Sequence, residues 1–508
     1  MLNLLHTSIV RIFILNLLIC GMAMGQFKAG FAEKDITPSS GMEMPGDYGK
    51  NHNSGTVHDP LKVRAVVFED ETSSIALVGV DAISISRHIV VAARQRIQST
   101  CGIPGSAILV GASHTHTGGP IGGIPQGQFD HASDFIRKLA YEESPMEDPV
   151  YARIVTDAIV AAVEQAHKKR VAAKASVGRG RETNVAFNRR FRMKNGQIWT
   201  HPNGFRAYKN QDIIEAAGPV DPEVGVIGVW DEQDRLMGCV VNFANHCTNG
   251  MPGLSADYVY YLEKTIRTVL GSEAVVVFLN GACGDITQVN NLSPDNTEFG
   301  ARSARFVGTS IAAEALKVLT SAEPGHLVPV KASLKKLSIE RRKPSPQHVE
   351  QCLDIVRQGK EDVDFTKWIF AKELVLLDAL IEKEPVVQVE IQALQIGPAI
   401  FLANPAELFC QIGLDIKAAS PFQFTFVVEL ANGCIGYVPT EQDLGPEGGG
   451  YETRLTLYSN LRVDADAVIT RASAELANAL KPGDIPQPPQ KGLYQGPWSY
   501  GNVPPERD

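Results

Sequence analysis

Two histidines stand two residues apart in Gly111-Ala112-Ser113-His114-Thr115-His116-Thr117-Gly118-Gly119, directly after the apolar run Ala107 to Gly111. Imidazole both ligates metals and carries protons near neutral pH, so such a pair at a strand end can supply one ligand and one acid–base group. If the strand's period of two continues, both rings leave on one face. The competing reading is an ordinary polar turn. A third histidine, His246 in Phe243-Ala244-Asn245-His246-Cys247-Thr248, again follows an apolar run. Strand ends of α/β folds are where polar groups collect, and two independent strand-end histidine sites favour the metal reading.

Three further segments carry polar chemistry. Asn280-Gly281-Ala282-Cys283-Gly284-Asp285-Ile286-Thr287-Gln288 is a glycine-rich turn that exposes backbone donors and the Thr287 hydroxyl. Taken alone, it reads as a tight turn with Asp285 capping the chain. Glu407 in Asn404-Pro405-Ala406-Glu407-Leu408-Phe409 is an acidic ligand candidate, although a glutamate opening a helix is usually a helix-start charge. Tyr437 in Asn432-Gly433-Cys434-Ile435-Gly436-Tyr437-Val438-Pro439-Thr440 and Tyr451 in Gly449-Gly450-Tyr451-Glu452 lie in loops, where tyrosines more often pack than ligate.

Apolar runs alternating with amphipathic stretches predict an α/β fold of mixed sheets flanked by helices. Expected strands are Ile75 to Val80, Ala107 to Gly111, Val224 to Trp230, Cys239 to Phe243 and Val275 to Leu279. Expected helices are Val150 to His167, capped by Asp148 with Pro149 in the first turn, Tyr258 to Leu270, Ala301 to Leu319 and Ala465 to Leu480. A hairpin is expected to turn at Gly397 and Pro398. Residues 345–384 form a charged helical insert, either a lid or a surface excursion; the charge favours the excursion. The tail from 482 to 508 is too rich in proline for a core of its own, though Trp498 and Tyr500 offer rings that can dock on the body.

A net charge of -9 gives no attraction for phosphate backbones, which excludes nucleic acid as the expected partner. Residues 1–25 read as a secretory signal: a positive n-region ending at Arg11, the apolar run Ile12 to Ile19, and small residues Ala23 and Gly25 before the cut. The expected location is secreted or periplasmic. No later stretch is long and apolar enough for a transmembrane segment in the mature chain. Of eight scattered cysteines, seven survive that cleavage, so the pattern is not a disulfide framework. Nothing in the sequence sets an oligomeric state.

In order, His-Thr-His with glycines, Phe-Ala-Asn-His, Asn-Gly-Ala-Cys-Gly-Asp-Ile-Thr, Pro-Ala-Glu, Gly-Tyr-Val-Pro-Thr and Gly-Gly-Tyr-Glu resemble the neutral/alkaline ceramidase family. The resemblance runs from Phe27 and Asp35-Ile36-Thr37-Pro38 to about Leu480, and implies that residues 26–481 form a neutral ceramidase-like domain. It further implies one Zn2+ per chain, held by His114, His246, Glu407 and Tyr437. The family's serine in its Gly-Asp-x-Ser-Pro-Asn turn falls on Thr287, and the following proline is Gln288. The family usually adds a C-terminal β-sandwich domain; the tail here is similar to the family's single-domain bacterial members.

The implied activity is hydrolysis of an N-acyl linkage by metal-activated water, with a small-molecule or lipid substrate and a ceramide-like lipid first. His116 is then the acid and base, while Thr287 and the backbone amides of Gly284 and Asp285 orient substrate or stabilise the oxyanion. Asp81 is a possible partner for a ligand histidine. The alternatives are a zinc hydrolase of a non-lipid amide, ester or glycoside, and an exported binding protein that keeps the fold without turnover. A cysteine nucleophile at Cys247 or Cys283 lacks a recognisable base.

Overall fold

Valine- and isoleucine-rich runs pair into one eight-stranded sheet in the computed structural model, which describes residues 27–50, 55–203, 210–293, 299–488, 500 and 504–508. The signal reading at 1–25 and Trp498 lie outside the described residues. The strands are β1 (Lys28–Asp35), β2 (Lys62–Glu69), β3 (Ser74–Val80), β4 (Ile108–Ala112), β5 (Val171–Arg181), the short β6 (Phe187–Asn188), β7 (Arg190–Met193), β8 (Ile198–Thr200) and β9 (Ile213–Ala216), then β10 (Glu223–Asp231), β11 (Leu236–Phe243) and β12 (Val275–Asn280). The sheet order is β12-β11-β10-β5-β1-β2-β3-β4. Its inner pairs are antiparallel, and only the outermost pairs β3/β4 and β11/β12 are parallel.

A parallel pair needs a crossover, and helices supply both. α1 (Arg87–Cys101) joins β3 to β4; α2 (Asp134–Tyr141) and α3 (Pro149–Lys168) follow; α4 (Tyr258–Leu270) joins β11 to β12. Asp148 caps α3 by accepting from the backbone N–H groups of Val150 and Tyr151, with Pro149 in the first turn, as expected from the sequence. The sheet curls until its two parallel edges meet. A Cβ at Gly79 on β3 would lie 2.5 Å from the carbonyl oxygen of Phe278 on β12, so that approach requires glycine. The ends of β4 and β11, which carry the three histidines, are thereby brought together.

α5 (Ala301–Ser321) packs on α4 and β5. Beyond β13 (Ile286–Thr287), a second sheet β14-β15-β16-β18 comprises β14 (Val330–Glu340), β15 (Val386–Ile396), β16 (Ala399–Ala403) and β18 (Phe424–Val428). The hairpin of β15 and β16 turns at Gly397, whose φ is 56°. The pair β17 (Glu407–Leu408) and β19 (Tyr437–Val438) sits beside it, with α8 (Cys410–Ala419) and α9 (Ala465–Asn478) covering this region. Between β14 and β15 the insert forms α6 (Pro346–Gln358) and α7 (Phe365–Lys383). It is not a solvated excursion: Trp368, Ile369, Leu374 and Leu376 pack with Ile124, Phe129 and Leu139 in a core of their own. Tyr500 is 85% exposed. Among the described residues, no helix is long and apolar enough to cross a membrane.

Beneath the histidines lies a buried charge network. Arg64 holds Asp81 at 2.8 Å and Glu263 at 2.5 Å, and Lys62 holds Glu263 at 2.7 Å. Burial raises the Glu263 pKa, but Arg64 and Lys62 outweigh it and hold the group at about 2. Its contribution is therefore present at neutral pH and lost as pH falls through that value. Arg64→Met leaves the buried Asp81 without its cation and Glu263 with only Lys62 and Arg267, and a loss of about 3–5 kcal/mol in denaturant unfolding is expected. A loss below about 1 kcal/mol, the range of surface pairs, would show the network to be dispensable.

Candidate metal centre

After β4 the chain turns instead of continuing the pleat. His114 has φ of 67°, in the left-handed region, a strain that persists only where surrounding contacts hold it. Those contacts are its backbone N–H donating to the Ala82 carbonyl at 2.9 Å and its ring Nδ1–H donating to the Ile83 carbonyl at 2.8 Å. With the proton on Nδ1, Nε2 keeps its lone pair, and that atom is buried without a partner. His116 donates from Nδ1 to the Gly46 carbonyl at 2.7 Å, so its Nε2 is likewise bare. The His116 backbone N–H donates to the Cys247 carbonyl at 3.2 Å, which ties the turn after β4 to the turn after β11. On that second turn His246 accepts at Nε2 from Arg189 Nη1 at 3.1 Å, while its Nδ1 lies 3.4 Å from Cys283 Sγ. The two-residue spacing of His114 and His116 therefore works through a turn, not a strand face.

Glu407 does not open a helix. It lies in β17 in parallel register with Tyr437 on β19, and α8 begins only at Cys410. Its Oε2 lies 3.4 Å from His114 Nε2 and 3.8 Å from His246 Nε2, again with no hydrogen-bond partner. The Tyr437 hydroxyl accepts from Arg189 Nη2 at 3.2 Å and lies 2.9 Å from the Tyr451 hydroxyl. Among the described residues, His114, His116 and His246 have ring nitrogens within 4.8 Å of one another, a group that can hold a metal ion. Each buried acceptor without a donor costs roughly 1–3 kcal/mol, and one cation would satisfy those of His114, His116 and Glu407 together.

The electrostatics suit a cation. Burial and the neighbouring His114 push the His116 pKa down to about 3, and burial with Arg189 pushes His246 well below its usual value. Both rings are neutral at pH 7, the form that binds metal. Burial raises the Glu407 pKa, yet His114, Tyr437 and Arg189 outweigh it and keep the carboxylate ionised. Burial lowers the His114 pKa and Glu407 more than offsets it, so the proton these two groups hold between them is the one a cation would displace.

The centre forms part of the wall of a cavity of about 530 Å³ that Tyr48, Met44, Met251, Thr287, Val289 and Phe299 also line. Thr287 reaches it from β13, paired with β6. Its hydroxyl donates to Gln288 Oε1 at 3.2 Å, and Gln288 is itself latched to Thr248 by bonds of 2.6 and 2.8 Å. The Asp285 carboxylate does not reach the cavity; it accepts from the Cys410 backbone N–H at 2.8 Å and the Asn188 amide at 2.7 Å. The Gly284 N–H is engaged with the Leu408 carbonyl at 2.7 Å, which leaves it no role as an oxyanion donor. Asp81 pairs with Arg64, and the Ile83 carbonyl orients His114 in its place. Cys247 and Cys283 are buried thiols with pKa values pushed well up by burial, unsuited to nucleophilic attack.

Arg189, absent from the sequence expectations, is the hub of the centre. Between β6 and β7, it donates to Glu452 at 2.7 Å, the Gly284 carbonyl at 2.7 Å and the Tyr451 hydroxyl at 2.8 Å, besides His246 and Tyr437. The only local sign was a pair of consecutive arginines, Arg189 and Arg190, between short apolar stretches.

No family model matches the chain. Neutral ceramidase of Pseudomonas aeruginosa is 24% identical over 311 residues, which cover 58% of this chain and 42% of that relative. The crystal structure of neutral ceramidase from Pseudomonas aeruginosa has a TM-score of 0.63 at 18% identity, covering 91% of this chain and 77% of that one. A structure described as ceramidase complexed with C2 gives 0.64 at 17% identity with the same coverage. The match in sequence thus spans less than half of the curated relative's length, and the structural likeness establishes the fold. This chain is similar to the neutral ceramidases in sequence and has their mixed α/β fold.

Proposed function

We propose that the chain is an exported, zinc-dependent amidohydrolase that cleaves an N-acyl linkage, with a ceramide-like lipid as the first substrate class. The observation that carries the reading is the spacing of Glu407 Oε2 from the Nε2 atoms of His114 and His246, 3.4 and 3.8 Å. Donors about 2.0–2.1 Å from a tetrahedral zinc lie about 3.3–3.4 Å from one another. His114, His246 and Glu407 approach that geometry, with Tyr437 beside Glu407 as the fourth member. His116 stands further out, its ring centroid 6.0 Å from that of His246 against 4.4 Å between His114 and His246.

Zinc held there would acidify a water and polarise an amide carbonyl. The chain's own residues do the rest. His116 offers a neutral Nε2 that takes a proton from water and returns it to the departing amine nitrogen, since its Nδ1–H is fixed on Gly46. Arg189 orients Tyr437 and Tyr451 and counters the charge of Glu452. The cavity volume is in the range for a head group and amide, and apolar residues such as Met44, Met251 and Phe299 suit acyl chains leaving it.

Zinc analysis of the purified protein, followed by hydrolysis assays on N-acyl sphingosines and on soluble N-acyl amino acids, tests the reading. Metal-free protein without turnover would overturn it. A non-lipid amide or ester is the second reading, favoured by Gln288: its carbonyl takes the Thr287 proton, so Thr287 can only accept from substrate. Thr287→Ala is expected to raise KM for a hydroxyl-bearing N-acyl substrate by roughly two- to tenfold, the loss of one hydrogen bond of about 0.5–1.5 kcal/mol. Thr287→Ser should leave KM near the wild-type value; equal KM in all three proteins would remove Thr287 from substrate recognition.

A further inference from the structure

The insert meets the metal centre through one buried ammonium. Lys372 on α7 is fully buried, and its Nζ donates to the Tyr48 carbonyl at 2.8 Å, the Glu143 carbonyl at 3.0 Å and the Ser144 hydroxyl at 2.7 Å. An ammonium has three protons, and all three are used. The adjacent Glu373, also buried, lies 3.2 Å away and supplies the countercharge. A buried lysine is costly to desolvate, and this one is tolerated because Glu373 pairs with it and two separate loops converge on it.

One of those loops governs His116. Two residues before Tyr48, the Gly46 carbonyl accepts the His116 Nδ1–H, and a Cβ at Gly46 would lie 2.5 Å from the His116 carbonyl oxygen. The loop backbone thus lies directly on the histidine. Phe370, two residues before Lys372 on α7, packs on the Tyr48 ring with centroids 5.8 Å apart, and Tyr48 packs in turn on Tyr451 and Tyr458. The polar and aromatic contacts of α7 act on the same short stretch of chain.

We propose that Lys372 is a positioning residue for His116: by tying the Tyr48 backbone to the Glu143–Ser144 turn, it holds the Gly46 carbonyl against Nδ1 and so decides which nitrogen of His116 faces the reaction. The proposal rests on the hydrolase reading above, in which His116 moves the proton. The insert is then a strut for the acid–base group. Without the ammonium, the loop loses its polar anchor, the carbonyl can leave, and the imidazole samples the tautomer whose Nε2 carries the proton and cannot accept one.

The zinc-loaded, full-length protein and its Lys372→Met variant are compared in three measurements. Amide hydrogen exchange should quicken in peptides covering 44–48 while those of β4 and β11 stay unchanged. On a fluorescent N-acyl sphingosine in detergent micelles, kcat should fall about tenfold or more, part of the roughly 10²- to 10⁴-fold that a positioned acid–base group contributes, while KM and zinc content stay near wild type. In a His116→Ala background, Lys372→Met should cost nothing further, because the group it positions is gone. An equal loss in that background, or unchanged exchange at 44–48, overturns the proposal. If Lys372→Met does not fold, Ser144→Ala removes a single acceptor and should still quicken exchange at 44–48; no change there also overturns it. A zinc-loaded wild type that turns over no N-acyl probe overturns the hydrolase reading instead, and the exchange result still decides whether Lys372 anchors the loop.

Discussion

Glu407→Gln is expected to abolish zinc binding and lower kcat/KM by about a thousandfold or more, while leaving the fold intact. The substitution keeps side-chain volume and removes the one anion placed against the His114 and His246 lone pairs. It also puts an amide N–H₂ within reach of His114 Nε2, so the metal-free centre gains a donor at an acceptor that had none. The folded protein without metal should therefore be at least as stable as the wild type. Zinc should raise the melting temperature of the wild type through its preferential binding to the native state and leave that of the variant unchanged. The size of the activity loss follows from the several kcal/mol of transition-state charge stabilisation that a catalytic metal supplies. Chelation of the wild type should reproduce the variant. One zinc per chain and full activity in Glu407→Gln would remove Glu407 from the centre.

What was legible in the sequence was local. The helix Tyr258–Leu270 and the hairpin turning at Gly397 follow from apolar periodicity and one glycine, and both form as read. What escaped is set by pairing across long separations. Glu407 reads as a helix-start charge because α8 begins three residues on, yet its conformation comes from a parallel pairing with Tyr437, thirty positions away. Charges at Lys372 and Glu373 read as a solvated face, because periodicity treats charge as exposed. In the fold each neutralises the other, and two loops supply the acceptors. Arg189 is invisible for the same reason: its five partners come from four separate segments. The histidines were found because their strand-end context is itself local, although the left-handed turn at His114 was not.

His116→Ala is expected to keep its zinc and lose roughly 10²- to 10⁴-fold in kcat, the usual contribution of a positioned acid–base group. Two donor sets compete at this centre, and the variant separates them. If the metal is held by the three histidines, His116→Ala removes one of three ligands and the zinc with it. If it is held by His114, His246, Glu407 and Tyr437, every ligand remains. The distances favour the second set: Glu407 Oε2 lies at 3.4 and 3.8 Å from the two nitrogens, and the ring centroids of His114 and His246 are 4.4 Å apart, while that of His116 stands 4.9 Å from His114 and 6.0 Å from His246. The ring removed from His116 also leaves a space beside the cavity, with the Gly46 carbonyl still present as an acceptor. Free imidazole added to the variant should therefore restore part of the rate, with a saturable dependence on its concentration, and should do nothing for Glu407→Gln. Loss of zinc from His116→Ala would assign His116 to the metal, and the proton-carrying role would then have to pass to another group.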